Sequence, residues 1–379
     1  MPSEITRMCG QLVLGALDGP APAEATRKAL ARGERAGFTF FRRNLVGEGL
    51  ERMQALAALA RDLSAADRSD AHTLLAIDQE GGRVMRLGEP ALQLPPMRVL
   101  GTHDDVALTR RVACAQAREL AGLGLTMSFA PVADVHSEPT NPVIGDRAFS
   151  TEPDRVAAHA RAFADGLADG GILACAKHFP GHGDTTVDSH LDLPRVDHPR
   201  ARLDAVELAP FRALAAHVPA MMSAHVVYAA LDAGAPATLS RAVASDLLRG
   251  ELGFAGALMS DDLEMRAIRA PVDESAVLAV AAGCDVVLVC VHEEAADEAF
   301  AGLVREAEKS PAFRARCAEA HARSVGMRAG RGAQPAEPAA LRDLFAASDG
   351  VRAELAAVVA GAGAPATTAA ARVSPVEET

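Results

Sequence analysis

Residues 174–190 of this 379-residue chain read ACAKHFPGHGDTTVDSH. An apolar run ends in Lys177-His178 and passes into a segment carrying His182, Asp184, Asp188 and His190 between two glycines and a short polar stretch. Imidazole titrates at about 6.5 without help, nearer to neutral than any other unperturbed side chain, so such a segment is suited to proton transfer. Asp188 and His190 share a face if the segment is extended. The carboxylate can then accept a hydrogen bond from the imidazole, fix its tautomer and raise its basicity. A dyad of that kind serves as a general acid or base; on spacing alone it reads equally well as a solvated surface pair. Gly181 and Gly183 have the look of pivots in a loop that moves. His178, His182, Asp184, Asp188 and His190 also invite a metal site. The HxxxH spacing is helical, however, and Pro180 with the two glycines that follow it forbids a helix, so neither metal nor other cofactor is expected.

Asp261 ends the apolar run 257–260, which has no structural need to finish in two carboxylates. A carboxylate there can be a nucleophile, a base or a cation ligand. It can also cap a following helix, a role that suits Asp262. In DQEGGRVMR (78–86), the glycines allow a tight turn, while Asp78 and Arg86 offer acceptors and donors to a polyhydroxylated ligand, or simply to each other. Arg147 is either another ligand donor or the partner of Asp146 or Asp134. Lys177 and His178 are adjacent, so both reach one ligand only if their strand bends.

These groups must be positioned by a scaffold, and the apolar runs supply one. Strands are predicted near 11–16, 38–41, 74–77, 127–131, 172–177, 220–224, 257–260 and 285–289. Amphipathic segments between and after them predict helices over 23–35, 50–63, 106–123, 153–169, 200–216, 241–252, 275–282 and 296–308, with Thr151 and Ser240 as candidate N-caps. Nearly every strand ends in a charged or reactive group. An open doubly wound sheet gathers its ligand groups at one switch point, whereas a closed barrel spreads them around its carboxyl mouth. The ring pattern, with no GxGxxG or Walker loop, predicts an α/β fold of the (β/α)8 TIM-barrel type. The barrel is expected to occupy 1–325 as one catalytic domain. Residues 326–379 read as a linker, a peripheral helix near 341–359 and a disordered Ala/Pro/Thr-rich tail.

The formal charge of −12 argues against nucleic acid or an anionic membrane surface as partner. Six scattered cysteines without CxxC spacing fit reduced thiols, and neither a secretory segment nor a membrane span is visible. A cytoplasmic monomer acting on a small molecule is the expectation.

Taken together, 78–86, APVADV (130–135), NPVIGDRAFS (141–150), KHFPGHGDTTVDSH (177–190), MMSAHVVY (221–228) and MSDDLEM (259–265) resemble glycoside hydrolase family 3. They are most similar to its single-domain β-N-acetylhexosaminidases of peptidoglycan recycling. The similarity runs in order from about residue 8 to 325. It implies a TIM barrel and a retaining mechanism with Asp261 as nucleophile, His190 as acid/base and Asp188 orienting His190. It further implies sugar contacts from Asp78, Arg86, Arg147, Lys177 and His178. The substrate implied is a terminal non-reducing N-acetylglucosamine on peptidoglycan fragments such as 1,6-anhydromuropeptides. Within the family, a phosphorolytic N-acetylglucosaminidase and a β-glucosidase are the alternatives. A non-catalytic sugar-binding barrel and a metallohydrolase are the alternatives from other classes.

Overall fold

The computed structural model describes residues 3–67 and 71–361. Eight parallel strands close into a barrel: β1 (Val13–Ala16), β2 (Gly37–Phe40), β3 (Leu74–Ile77), β4 (Met127–Ser128), β5 (Leu173–Phe179), β6 (Ala220–Ser223), β7 (Ala257–Asp262) and β8 (Val286–Leu288). Each pairs with its neighbours in sequence, and β8 closes on β1 through Val13 opposite Val287 and Leu14 opposite Leu288. The strands read as continuous apolar runs because both of their faces are buried. Alternation then divides them. Leu74 and Ala76 join an inner cluster with Leu14, Cys175, Met222 and Met259, whereas Leu75 and Ile77 pack outward against the helices. This is the (β/α)8 architecture expected from the sequence.

Several elements differ in detail from expectation. β4 stops at Ser128 because Pro131 has no N–H to give a ladder; its carbonyl still accepts from Lys177 N at 3.0 Å. The helix expected over 200–216 divides into Arg200–Ala205 and Leu208–Leu214, and that over 241–252 is wound as a π-helix, Ala242–Glu251. Thr151 is not a cap: Glu152 occupies that position without a side-chain bond. Ser240 Oγ does accept from Val243 N at 3.3 Å. Short helices at Glu4–Gly10 and Met97–His103 carried no clear periodicity and were not anticipated.

Helix Pro311–Arg328 carries the ordered chain past the expected change of character at residue 326. The Arg328 guanidinium is fully buried at the barrel floor, donating to Ala36 O at 2.9 Å, His72 O at 3.1 Å and Gln11 Oε1 at 2.9 Å. Two helices, Leu341–Ala346 and Asp349–Gly361, replace the single one expected, and Leu341, Phe345 and Leu355 pack into the outer core. Most of the tail expected to be disordered, residues 362–379, lies outside the described residues. No described helix is long and apolar enough to cross a membrane.

Candidate functional site

At the carboxyl mouth the inner cluster opens into a pocket of about 670 Å³ including its open mouth. Phe41, Phe129, Met222, Leu288 and Cys290 form its apolar floor and walls. Seven of the eight sequence-derived candidates line it: Asp78, Arg86, Arg147, Lys177, His178, His190 and Asp261. The eighth, Asp188, stands behind His190.

One wall is an ion network. Arg147 grips Glu80 with two hydrogen bonds, Nε to Oε2 at 2.9 Å and Nη2 to Oε1 at 2.8 Å. Lys177 Nζ bridges Glu80 Oε1 at 2.6 Å and Asp78 Oδ1 at 2.7 Å, and Arg86 Nη2 donates to Asp78 Oδ2 at 3.1 Å. Burial by itself would raise both carboxyls, but Arg147 and Lys177 hold Glu80, and Lys177 and Arg86 hold Asp78, below the usual carboxylate range. Lys177 in turn is kept charged by the two carboxylates despite its burial. Three cations against two anions leave the wall with a net positive charge and several directed donors. The Arg147 partner is therefore Glu80, not the Asp146 or Asp134 suggested by sequence; Asp146 pairs with Arg83 at 2.7 Å. Asp78 and Arg86 are both an ion pair and pocket residues, so the two readings of that pair hold together.

Asp134 serves His178. Its Oδ2 accepts from His178 Nδ1 at 2.6 Å and its Oδ1 from His182 N at 2.6 Å, which fixes the His178 ring and its tautomer. The Lys177–His178 peptide is cis, and the β5–β6 register shifts between Ala176 and Phe179. Lys177 and His178 both line the pocket. Glu80 and Asp134 were visible in the quoted motifs, yet nothing local in the sequence marked them as the carboxylates that lock the ligand-facing groups.

Asp261 sits on the opposite side at the end of β7, and its Oδ1 accepts from Asp262 N at 2.8 Å. Burial pushes its carboxyl up, but His225, His178 and His190 outweigh that and leave it below the ordinary value. Asp262 behaves oppositely. Burial, Glu264 and Asp261 raise its carboxyl to about 7. No helix follows it; Asp262 Oδ1 instead accepts from Glu264 N at 3.1 Å and Cys290 N at 3.0 Å, tying β7 to the end of β8. Two adjacent carboxyls are thus shifted in opposite directions, the lowered one facing a cluster of imidazoles.

The third part is the segment after β5. His190 Nδ1 donates to Asp188 Oδ1 at 2.8 Å, and the same oxygen accepts His190 N at 2.9 Å. Burial raises the Asp188 carboxyl, but those two bonds bring it below the usual range, so it is a carboxylate and the Nδ1 proton stays on the ring. Nε2 is then the nitrogen turned away from Asp188. Both glycines stand against neighbouring chain. A Cβ on Gly183 would stand 1.7 Å from Val135 O, and Gly181, at φ +130°, would place one 2.9 Å from Glu207 Cβ. They permit close packing, and Tyr228 Oη donates to Gly181 O at 2.5 Å beside them. The side chains considered as metal ligands have other partners: Asp184 accepts from Ser137 Oγ at 2.7 Å and bonds His198 Nε2 at 2.8 Å, and His182 lies between two hydroxyls.

The other strand ends serve closure. Asp18 and Glu293 exchange backbone-to-carboxylate bonds at 3.1 and 3.0 Å across the β1–β8 seam, and Arg43 and Asn44 both donate to Leu17 O.

Comparison with known proteins agrees with this geometry. The family model described as glycosyl hydrolase family 3 N terminal domain matches residues 5–323. A protein of Alkalilimnicola ehrlichii named beta-hexosaminidase is 41% identical over 297 residues, covering 76% of this chain and 82% of that protein. The structure of a family 3 beta-N-acetylglucosaminidase from a Paenibacillus species superposes with a TM-score of 0.81 at 36% identity, covering 91% of this chain and 68% of that one. NagZ from Neisseria gonorrhoeae, in complex with N-trifluoroacetyl-D-glucosamine, gives a TM-score of 0.70 at 32% identity over 83% of this chain and 98% of its own.

Proposed function

The chain belongs to glycosyl hydrolase family 3, and on that premise we propose that it is a retaining β-N-acetylglucosaminidase. Its substrate is a terminal non-reducing N-acetylglucosamine on peptidoglycan fragments, 1,6-anhydromuropeptides among them, and it works as a cytoplasmic monomer. The observation that carries the reading is the opening of a carboxylate and an imidazole on one pocket: Asp261, and a His190 whose Nδ1 is committed to Asp188. Relatives named beta-hexosaminidase and a neighbour holding an N-acylglucosamine analogue support the sugar assignment.

In the first step Asp261 attacks the anomeric carbon while protonated His190 gives its Nε2 proton to the leaving oxygen, and the glycosidic C–O bond breaks. The result is a glycosyl ester of Asp261 and a neutral His190. His190 then takes a proton from water, whose oxygen attacks the same carbon and displaces the Asp261 carboxylate. Two inversions give net retention. Asp188 holds the imidazole and balances its positive charge. Asp78, Arg86, Arg147, Lys177 and His178 bind the sugar hydroxyls; their mutual ion pairs hold them in place before substrate arrives, so little reorganisation is needed on binding.

The deciding experiment is hydrolysis of N-acetylglucosaminyl-1,6-anhydro-N-acetylmuramic acid, with and without phosphate, followed by proton NMR. The expected first product is the β-anomer of free N-acetylglucosamine. An α-anomer overturns retention, a sugar 1-phosphate identifies a phosphorylase, and no turnover of either this substrate or an aryl N-acetylglucosaminide overturns the hydrolase reading.

A further inference from the structure

Residues 186–192 project from the barrel mouth with Val187 40% and Leu191 57% exposed, yet Ser189 between them is 2% exposed. Its hydroxyl lies 3.0 Å from Nε2 of His182, itself 1% exposed. The other nitrogen, Nδ1, lies 2.9 Å from Thr185 Oγ1, and Asn141 Nδ2 donates both to Thr185 Oγ1 at 3.1 Å and to His182 O at 2.9 Å. Asn141 belongs to the long segment after β4, so this chain of bonds ties the projecting tip to a separate part of the barrel rim. His182 also meets the His178 ring edge-on, at 5.8 Å between centroids. Neither His182 nor Thr185 has a part in the reaction as written above.

We propose that His182 is a positioning residue: through Ser189 it sets where the His190 imidazole stands over the pocket. The inference rests on the hydrolase reading. The tip carries its acid between two exposed apolar residues and is drawn inward at Ser189, the residue joined directly to His190. Asp188 orients the ring about its own axis; the His182–Ser189 bond places the backbone from which the ring hangs. Burial and the neighbouring His178 hold the His182 ring at a pKa of about 4, so it is neutral in the working range. A neutral imidazole has one donor and one acceptor nitrogen, and each of its two hydroxyl neighbours can serve either one, so both tautomers keep the bond to Ser189.

Displacing a catalytic group by an ångström costs up to ~100-fold without touching the chemistry. The full chain carrying Ser189→Ala is therefore measured as kcat/KM on 2,4-dinitrophenyl N-acetyl-β-glucosaminide, whose leaving group needs no proton, and on a methoxyphenyl analogue, whose leaving group does. The expected result is a loss of ~10–100-fold on the methoxyphenyl substrate and under ~3-fold on the dinitrophenyl one, with no further loss when Ser189→Ala is added to His190→Ala. Thr185→Val, which frees the His182 ring from its second hydroxyl, is expected to give the same split at smaller size, and serves if Ser189→Ala lowers the melting temperature. Equal losses on both substrates, no loss, or an undiminished loss in the His190→Ala background overturns the positioning role. These outcomes are separate from failure of the reading beneath it, which would show as turnover persisting in Asp261→Asn.

Discussion

The two sides of the pocket are built on opposite plans. The wall of Asp78, Glu80, Arg86, Arg147 and Lys177 is buried, and each charge is held by another charge. The segment bearing Asp188 and His190 is held from inside by the neutral bond of Ser189 to His182, and outside Asp192 pairs with Arg269, a pair that is mostly exposed. Coulomb attraction in a low-dielectric interior makes the first arrangement stiff, whereas an exposed pair contributes little. The contrast matches the tasks assigned. Groups that bind a sugar ring gain from being fixed before it arrives; a group that delivers a proton to one leaving group after another must let each of them pass.

The comparison can be broken at either side. The largest effect is expected at the centre, where Asp261→Asn should lower kcat on every aryl N-acetylglucosaminide by at least ~10⁴-fold, the loss of the covalent route. Stopped assays with the purified variant check it. Next comes the ionic wall. Arg147→Ala leaves Glu80 short of its bidentate partner in the interior, and urea unfolding should show a loss of about 3–5 kcal/mol. His190→Ala should cost ~10²–10³-fold in kcat/KM on poor leaving groups and under ~10-fold on dinitrophenyl, with melting temperature almost unchanged. Equal losses on both would remove His190 from the acid role.

A smaller effect is expected from pH. The His182 pKa is lowered from 6.5 to about 4 in the folded chain, so between those values the unfolded chain binds the extra proton. Its contribution to stability is complete above 6.5 and declines as pH falls toward 4. Asp78 and Glu80, whose carboxyls are lowered, add losses in the same direction at more acid pH. Thermal melts from pH 7 to 4 should fall steadily, and replacing His182 with Gln should flatten the upper part of that curve. The smallest effect is at the exposed pair: Asp192→Ala should leave the melting temperature where it was.

The barrel was legible because a strand buried on both faces leaves an unbroken apolar run, and eight such runs ending in polar groups allow few closures. The pocket candidates were legible for a related reason: Asp261 and Lys177 end strands that had no packing need for charge. What could not be read was partnership. Glu80 stands two residues from Asp78 and was passed over, since only the fold shows that Arg147 and Lys177 converge on it. The close approach of Gly183 to Val135 O could not be read either, since a glycine demanded by packing and one demanded by motion leave the same letter in the sequence. Asp262 read as a helix cap for the same reason: the distant acceptor requirement at Cys290 has no local trace.

Arg328 carries a consequence for how the molecule is made. Its guanidinium satisfies carbonyl or amide oxygens on Gln11, Ala36 and His72, at the feet of the first three strands. A nascent chain can set those strands side by side long before residue 328 leaves the ribosome, but their base stays unsealed until the helix carrying Arg328 has been made. A stitch at the root of the barrel, at the end away from the pocket, is therefore placed by a helix that is made only after all eight strands.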